Sequence, residues 1–78
     1  MQKRKKRNPG FVACIDNSGY LASLELYKIY RVIPDADAAQ DGDIRIVDES
    51  GEDYLYAVDR FIGIEVPKTL ERAILKAS

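Results

Sequence analysis

Hydrophobic and polar positions along this chain recur mostly with a period of two, the pattern of strands buried on one face. The clearest stretch runs from Asp43 to Asp48, where Ile44 and Ile46 share one face and Arg45 and Val47 the other. Glu49-Ser50-Gly51-Glu52 then reads as a tight hairpin, with Gly51 placed for positive φ. The return strand covers residues 53–58, with Tyr54 and Tyr56 facing opposite to Leu55 and Ala57. Upstream, Ile29-Tyr30-Arg31-Val32-Ile33 is rich in β-branched and aromatic residues, and Pro34 stops that strand by removing a donor and fixing φ. Residues 11–16 form a first strand that is apolar on both faces and is broken by Asn17-Ser18-Gly19. Residues 20–26 stay open between strand, loop and helix. A helix drawn through Leu21, Leu24 and Lys28 fails from Tyr27 onward, where β-formers dominate, so an irregular or hairpin-like excursion is expected.

The remaining segments carry turn and helix signals. Residues 35–42 suit a loop with one helical turn, Asp35 capping it and Gly42 closing it. Asp59-Arg60-Phe61 suits a single 3₁₀ turn, and residues 62–66 a last short strand. Pro67 starts a helix, because proline is tolerated in a first turn. In that helix Leu70, Ala73, Ile74 and Ala77 recur at helical spacing and make one apolar stripe. A helix of about ten residues does not persist alone, so it must dock on the rest of the domain or on a partner.

This order of elements resembles that of an SH3-like barrel: mainly β, about five strands, with a short C-terminal helix added. The resemblance is carried by Lys28-Ile29-Tyr30-Arg31-Val32-Ile33-Pro34-Asp35, by residues 44–56 (IRIVDESGEDYLY) and by Phe61. The same segments are similar to a group of small uncharacterised bacterial proteins in which a strand ending in Pro-Asp leads into a DESGEDYLYP hairpin. The likeness covers residues 11–67 and departs at Ala57, where that pattern favours proline. It implies a fold and no activity. The proline-rich-peptide binding of SH3 domains proper does not carry over, since the chain has no Trp and no paired tyrosines of the ALYDY type in the excursion. The division expected is a basic tail over residues 1–8, a barrel over 9–66 and a helix over 67–78.

Composition narrows the function classes. Seventy-eight residues, 46% hydrophobic and 32% charged, suit one globular domain near the lower size limit. A core of that size supplies about 3–5 kcal/mol net, which argues for binding or structure over a strained active site. The single cysteine, Cys14, lies in an apolar run and reads as a small core hydrophobe. One cysteine makes no intrachain disulfide, which suggests a reducing compartment; with no apolar leader and no membrane-length apolar run, a cytoplasmic location is expected.

With no histidine, His-based triads and His-based zinc sites are excluded, and one cysteine cannot build a thiolate site. Ser18, Ser23, Ser50 and Thr69 have no evident activating base. Residues 37–48 resemble an EF-hand loop only weakly: Ala39 stands at the third ligand position, Asp48 replaces the bidentate Glu, and a strand follows. No enzymatic activity, cofactor or resident metal is therefore expected.

The formal net charge of −1 conceals an asymmetry. Lys3, Arg4, Lys5, Lys6 and Arg7 hold five of the twelve basic residues, leaving seven against thirteen acids in the rest. Such a tail is expected to be disordered, and it could neutralise nucleic-acid or ribosomal phosphates, or an anionic membrane surface. The acidic body and the lack of interleaved aromatics weigh against nucleic acid. Among the aromatics, Phe11, Phe61, Tyr30 and Tyr56 are expected in the core, whereas Tyr20, Tyr54 and Leu55 are expected to be partly exposed and to make a protein-contact patch. The leading expectation is a non-catalytic protein-interaction or structural module, monomeric or weakly dimeric, with an unidentified protein partner. The alternative is a nucleic-acid- or ribosome-associated accessory protein using the tail.

Overall fold

A computed structural model of the protein describes residues 10–77. The tail residues Lys3, Arg4, Lys5, Lys6 and Arg7 lie outside them. The described chain is mainly β, with strands β1 (Phe11–Cys14), β2 (Ile29–Ile33), β3 (Asp43–Val47), β4 (Asp53–Ala57) and β5 (Phe61–Ile64). A short helix α1 (Ala36–Gln40) links β2 to β3, a 3₁₀ turn (Val58–Arg60) links β4 to β5, and α2 (Lys68–Ala77) follows. All the ladders are antiparallel, in the order β4-β3-β2-β1-β5.

The period-two pattern explains the core. Tyr30 and Val32 of β2 and Ile46 of β3 point inward, joined by Val12, Cys14, Leu24, Tyr56 and Phe61, with Ile44 packed against them. β4 and β5 stand at opposite ends of the strand order and share no ladder, yet the Tyr56 and Phe61 rings meet edge-on at 6.0 Å. The sheet therefore curls around its apolar face. Cys14 is fully buried in that core. Phe11 is buried as well, but alternation from Val12 turns it to the opposite face, in register with Arg31 and Ile64. Ile74 and Leu75 of α2 border an open groove of about 810 Å³ that is also lined by Ile29, Arg31, Ile33 and Val47 and by the acids Asp48, Glu49 and Asp53.

Local chemistry sets the joints. Asp35 caps α1 by accepting from the Ala38 amide at 3.0 Å, and Gly42 leaves the helix at φ +79. The β3–β4 hairpin closes through Asp48 N–H to Glu52 C=O at 3.1 Å, with Gly51 at φ +85. Several boundaries differ from the sequence expectation: β4 ends at Ala57, and β5 ends at Ile64 where a strand to residue 66 was expected. β1 ends at Cys14 because the amides of Ile15 and Asp16 both turn to the Arg60 carbonyl, at 2.8 and 3.2 Å. Phe61 opens β5, in register with Cys14, instead of closing the 3₁₀ turn. Pro67 sits one residue before α2, its carbonyl accepting from Glu71 N–H at 2.9 Å, so it caps the first turn from outside.

Candidate protein-contact site

The excursion between β1 and β2 is neither strand nor helix but a chain of turns. Tyr20 N–H donates to Asn17 C=O, Leu24 N–H to Tyr20 C=O and Tyr27 N–H to Cys14 C=O, at 2.9, 2.9 and 2.7 Å. Leu24 is its anchor, with no exposed surface. Tyr27 holds φ +65, a left-handed conformation unfavourable for an aromatic residue, and is 77% exposed. The β3–β4 hairpin holds the excursion through Glu49 N–H to Ser23 C=O at 3.0 Å.

Two polar clusters lock this corner. Asp48 is buried and accepts from the Ser50 amide, the Ser50 hydroxyl and the Tyr56 hydroxyl at 2.9, 2.6 and 2.5 Å. Burial works against its charge, but the hydrogen bonds from Ser50 and Tyr56 together outweigh it and hold the carboxyl below its ordinary value. Burial and the bond to Asp48 push the Tyr56 phenol up to about 12. At neutral pH the pair is thus an ionised acceptor and a protonated donor, arranged to hold position. In the second cluster Glu49 accepts from Lys28 Nζ at 3.0 Å and from the Tyr30 hydroxyl, and that hydroxyl accepts from Glu25 N–H at 2.8 Å. The bonds from Lys28 and then Tyr30 hold Glu49 low, while burial first and Glu49 second push Tyr30 up.

Above these clusters the aromatic residues form a ladder. The Arg60 guanidinium lies 4.7 Å over the Tyr20 ring, which meets Tyr56 edge-on at 5.0 Å. Arg60 is held in turn by Asp16, with 3.2 Å to its carbonyl and 3.6 Å to its carboxylate. Beside the ladder is an open depression of about 320 Å³, lined by Tyr20, Ser23, Asp48, Ser50, Tyr54 and Tyr56, with Leu55 at its border. The three residues singled out from sequence therefore converge. Tyr20, Tyr54 and Leu55 are 42%, 50% and 45% exposed. They do not share one face: Leu55 is in register with Arg45, and alternation sets it opposite to Tyr54 and Tyr56.

Sequence reasoning missed Asp48, Ser50 and Ser23 as members of this site. The pattern Asp48-Glu49-Ser50-Gly51 could have signalled a side-chain-capped turn. Nothing local points from Asp48 to Tyr56, eight residues away across the β3–β4 hairpin. Comparison with known proteins finds no matching family model, no matching curated protein and no matching solved structure.

The clusters set a pH dependence. Carboxyls held low in the fold stabilise it above their ordinary pKa, and that stability is lost as pH falls through the folded value. Asp48, Glu49 and Asp35, the last held by the Ala38 amide and Arg45, are all of this kind. Tyr30 and Tyr56 are raised, so their contribution is complete below their ordinary value of 10.0 and is lost as pH rises through the folded one. Urea midpoints are therefore expected to be flat from about pH 5 to 9 and to fall on both sides, below about pH 4 and above about pH 10. A stability that rises on acidification to pH 3 would contradict these assignments.

Proposed function

We propose that this protein is a non-catalytic protein-interaction module of the SH3-like barrel kind, which seats a protein segment against Tyr20 and Tyr54 with Leu55 at the border. The observation that carries the reading is that the exposed rings of Tyr20 and Tyr54 line one depression, over a floor tied together by internal hydrogen bonds. A preorganised apolar surface with a few fixed polar groups suits binding, because little ordering cost remains on this side of the contact. The barrel part draws support from the strand order β4-β3-β2-β1-β5, the long excursion after β1, the tight β3–β4 hairpin and the 3₁₀ turn before β5. It also draws on the Tyr56–Phe61 contact across the core and on the resemblance of the hairpin to that of the small bacterial proteins. A cytoplasmic site of action belongs to the same reading, supported by the lone Cys14.

Selection of a displayed random-peptide library on the whole chain tests the proposal. Enriched peptides should bind the double variant Tyr20→Ala/Tyr54→Ala at least tenfold more weakly, and backbone amide shifts on titration should gather at Tyr20, Ser23, Tyr54 and Leu55. Peptides that bind the double variant equally well, or shifts gathered elsewhere, would overturn it. The urea midpoint of the variant shows that the fold is retained.

A further inference from the structure

We infer that the depression at Tyr20 and Tyr54 receives a cationic side chain of the seated segment, a lysine ammonium or an arginine guanidinium, opposite the Asp48 carboxylate. The inference rests on the reading that a protein segment sits there, and it names the chemistry of the residue that segment must present.

Asp48 is the group that calls for a cation. It lines the depression, is 5% exposed, and is kept ionised by Ser50 and Tyr56. The hydrogen bonds it accepts come from neutral donors: the Ser50 amide, the Ser50 hydroxyl and the Tyr56 hydroxyl. Among the described residues no cation pairs with it, since Lys28 is held by Glu49, Arg45 by Asp35 and Asp53, and Arg60 by Asp16. A buried charge is ordinarily paired, because neutral donors stabilise it without cancelling it. A carboxylate also offers about four acceptor positions, so room for a further donor remains.

The rings around Asp48 suit the same ligand. Tyr20, Tyr54 and Tyr56 line the depression, and the Tyr20 and Tyr56 rings stand at 85° to each other, as two walls of a corner. A ring face attracts a cation, and the Arg60 guanidinium already lies 4.7 Å over Tyr20. Tyr56 donates to Asp48, and Tyr54 donates to Glu52 at 3.2 Å. A phenol that gives its hydrogen bond to a carboxylate carries more electron density on its ring, which strengthens that attraction. Glu52, like Asp48, has no cationic partner among the described residues.

Other occupants fit less well. A wholly apolar side chain would strip water from Asp48, Ser23 and Ser50 and return nothing. A divalent metal asks for several oxygen ligands, and Asp48 is the one carboxylate that lines the depression. A lysine or arginine meets both demands: its methylene stem lies along the tyrosine rings and Leu55 at the border, and its head reaches the carboxylate. Asp48 also borders the groove beside α2, but Lys28 and Arg31 line that groove and repel a cation there. The tyrosine side is therefore the favourable entry.

The peptides enriched on the whole chain test the inference by fluorescence anisotropy. They are expected to share a lysine or arginine at one position, and exchanging the two residues there shows which head group is taken. Replacing that residue by norleucine should weaken binding to the parent chain about tenfold. In Asp48→Asn the same replacement should cost about twofold or less, because the charge it answers is gone, and the urea midpoint shows whether that variant is folded. Glu52→Gln alters an exposed hairpin residue and should shrink the norleucine cost by about two- to threefold, which keeps the test decisive if the asparagine variant unfolds. Peptides that lose binding in Tyr20→Ala/Tyr54→Ala but tolerate norleucine at every position overturn the cation and leave the seating intact. A norleucine cost that is the same in the parent, Asp48→Asn and Glu52→Gln overturns the role of the carboxylates. Choline that displaces every peptide at a lower concentration than the peptides themselves require overturns the side-chain assignment in favour of a free quaternary ammonium. Peptides indifferent to both tyrosines overturn the seating and the inference together.

Discussion

Asp48→Ala is expected to cost about 3 kcal/mol, because it leaves a buried phenol and a backbone amide without their acceptor. Three donors converge on this one carboxylate: the Ser50 amide, the Ser50 hydroxyl and the Tyr56 hydroxyl. Solvent compensates poorly, since Asp48 is 5% exposed and Tyr56 is 6% exposed. A domain of this size holds only about 3–5 kcal/mol in total, so most of the variant should be unfolded or close to it at room temperature. Urea denaturation of the parent, Asp48→Asn and Asp48→Ala checks the ordering. Asparagine keeps an acceptor and should fall between the other two. Tyr56→Phe removes a single donor and should cost about 1 kcal/mol. A loss below that figure for the alanine variant would show that the cluster contributes little.

Leu24→Ala should be comparably severe, at about 2–5 kcal/mol. Leu24 is among the largest fully buried side chains, although it belongs to no strand or helix. It pins the excursion to the core, one residue before Glu25 donates to the Tyr30 hydroxyl. With that anchor truncated, the turn that carries Tyr20 loses its support, and the Tyr20–Tyr56 contact should loosen. Leu21→Ala is the internal control: Leu21 is 78% exposed and should shift stability by less than about 0.5 kcal/mol. If the two leucines respond alike in urea, the excursion is not held as described.

Much of the β architecture was legible from alternation alone. Ile44, Ile46, Tyr56, Tyr30 and Val32 are placed by a period of two, and a slip of one residue in β3 would turn Ile46 outward and Arg45 inward. Gly51 and the Asp35 cap were equally legible, because positive φ and an orphan helical amide each call for a short list of residue types. Residues 20–26 were not. Their turns are stabilised by partners in other segments, such as Glu49 for the Ser23 carbonyl, and a local pattern does not contain them.

The candidate site divides the same way. Partial exposure of Tyr20, Tyr54 and Leu55 was expected from the sequence, and all three are partly exposed, although alternation alone would have buried Tyr54 beside Tyr56. That Tyr20 would lie against Tyr56, under Arg60, depended on the curl of the sheet, which brings residues 36 and 40 positions apart to within 5.0 Å. Residue order dictates which side of each strand or helix is greasy, since backbone geometry imposes its period locally. Which faces then meet is left to long-range packing, where burial of the whole apolar surface outweighs any single segment's preference.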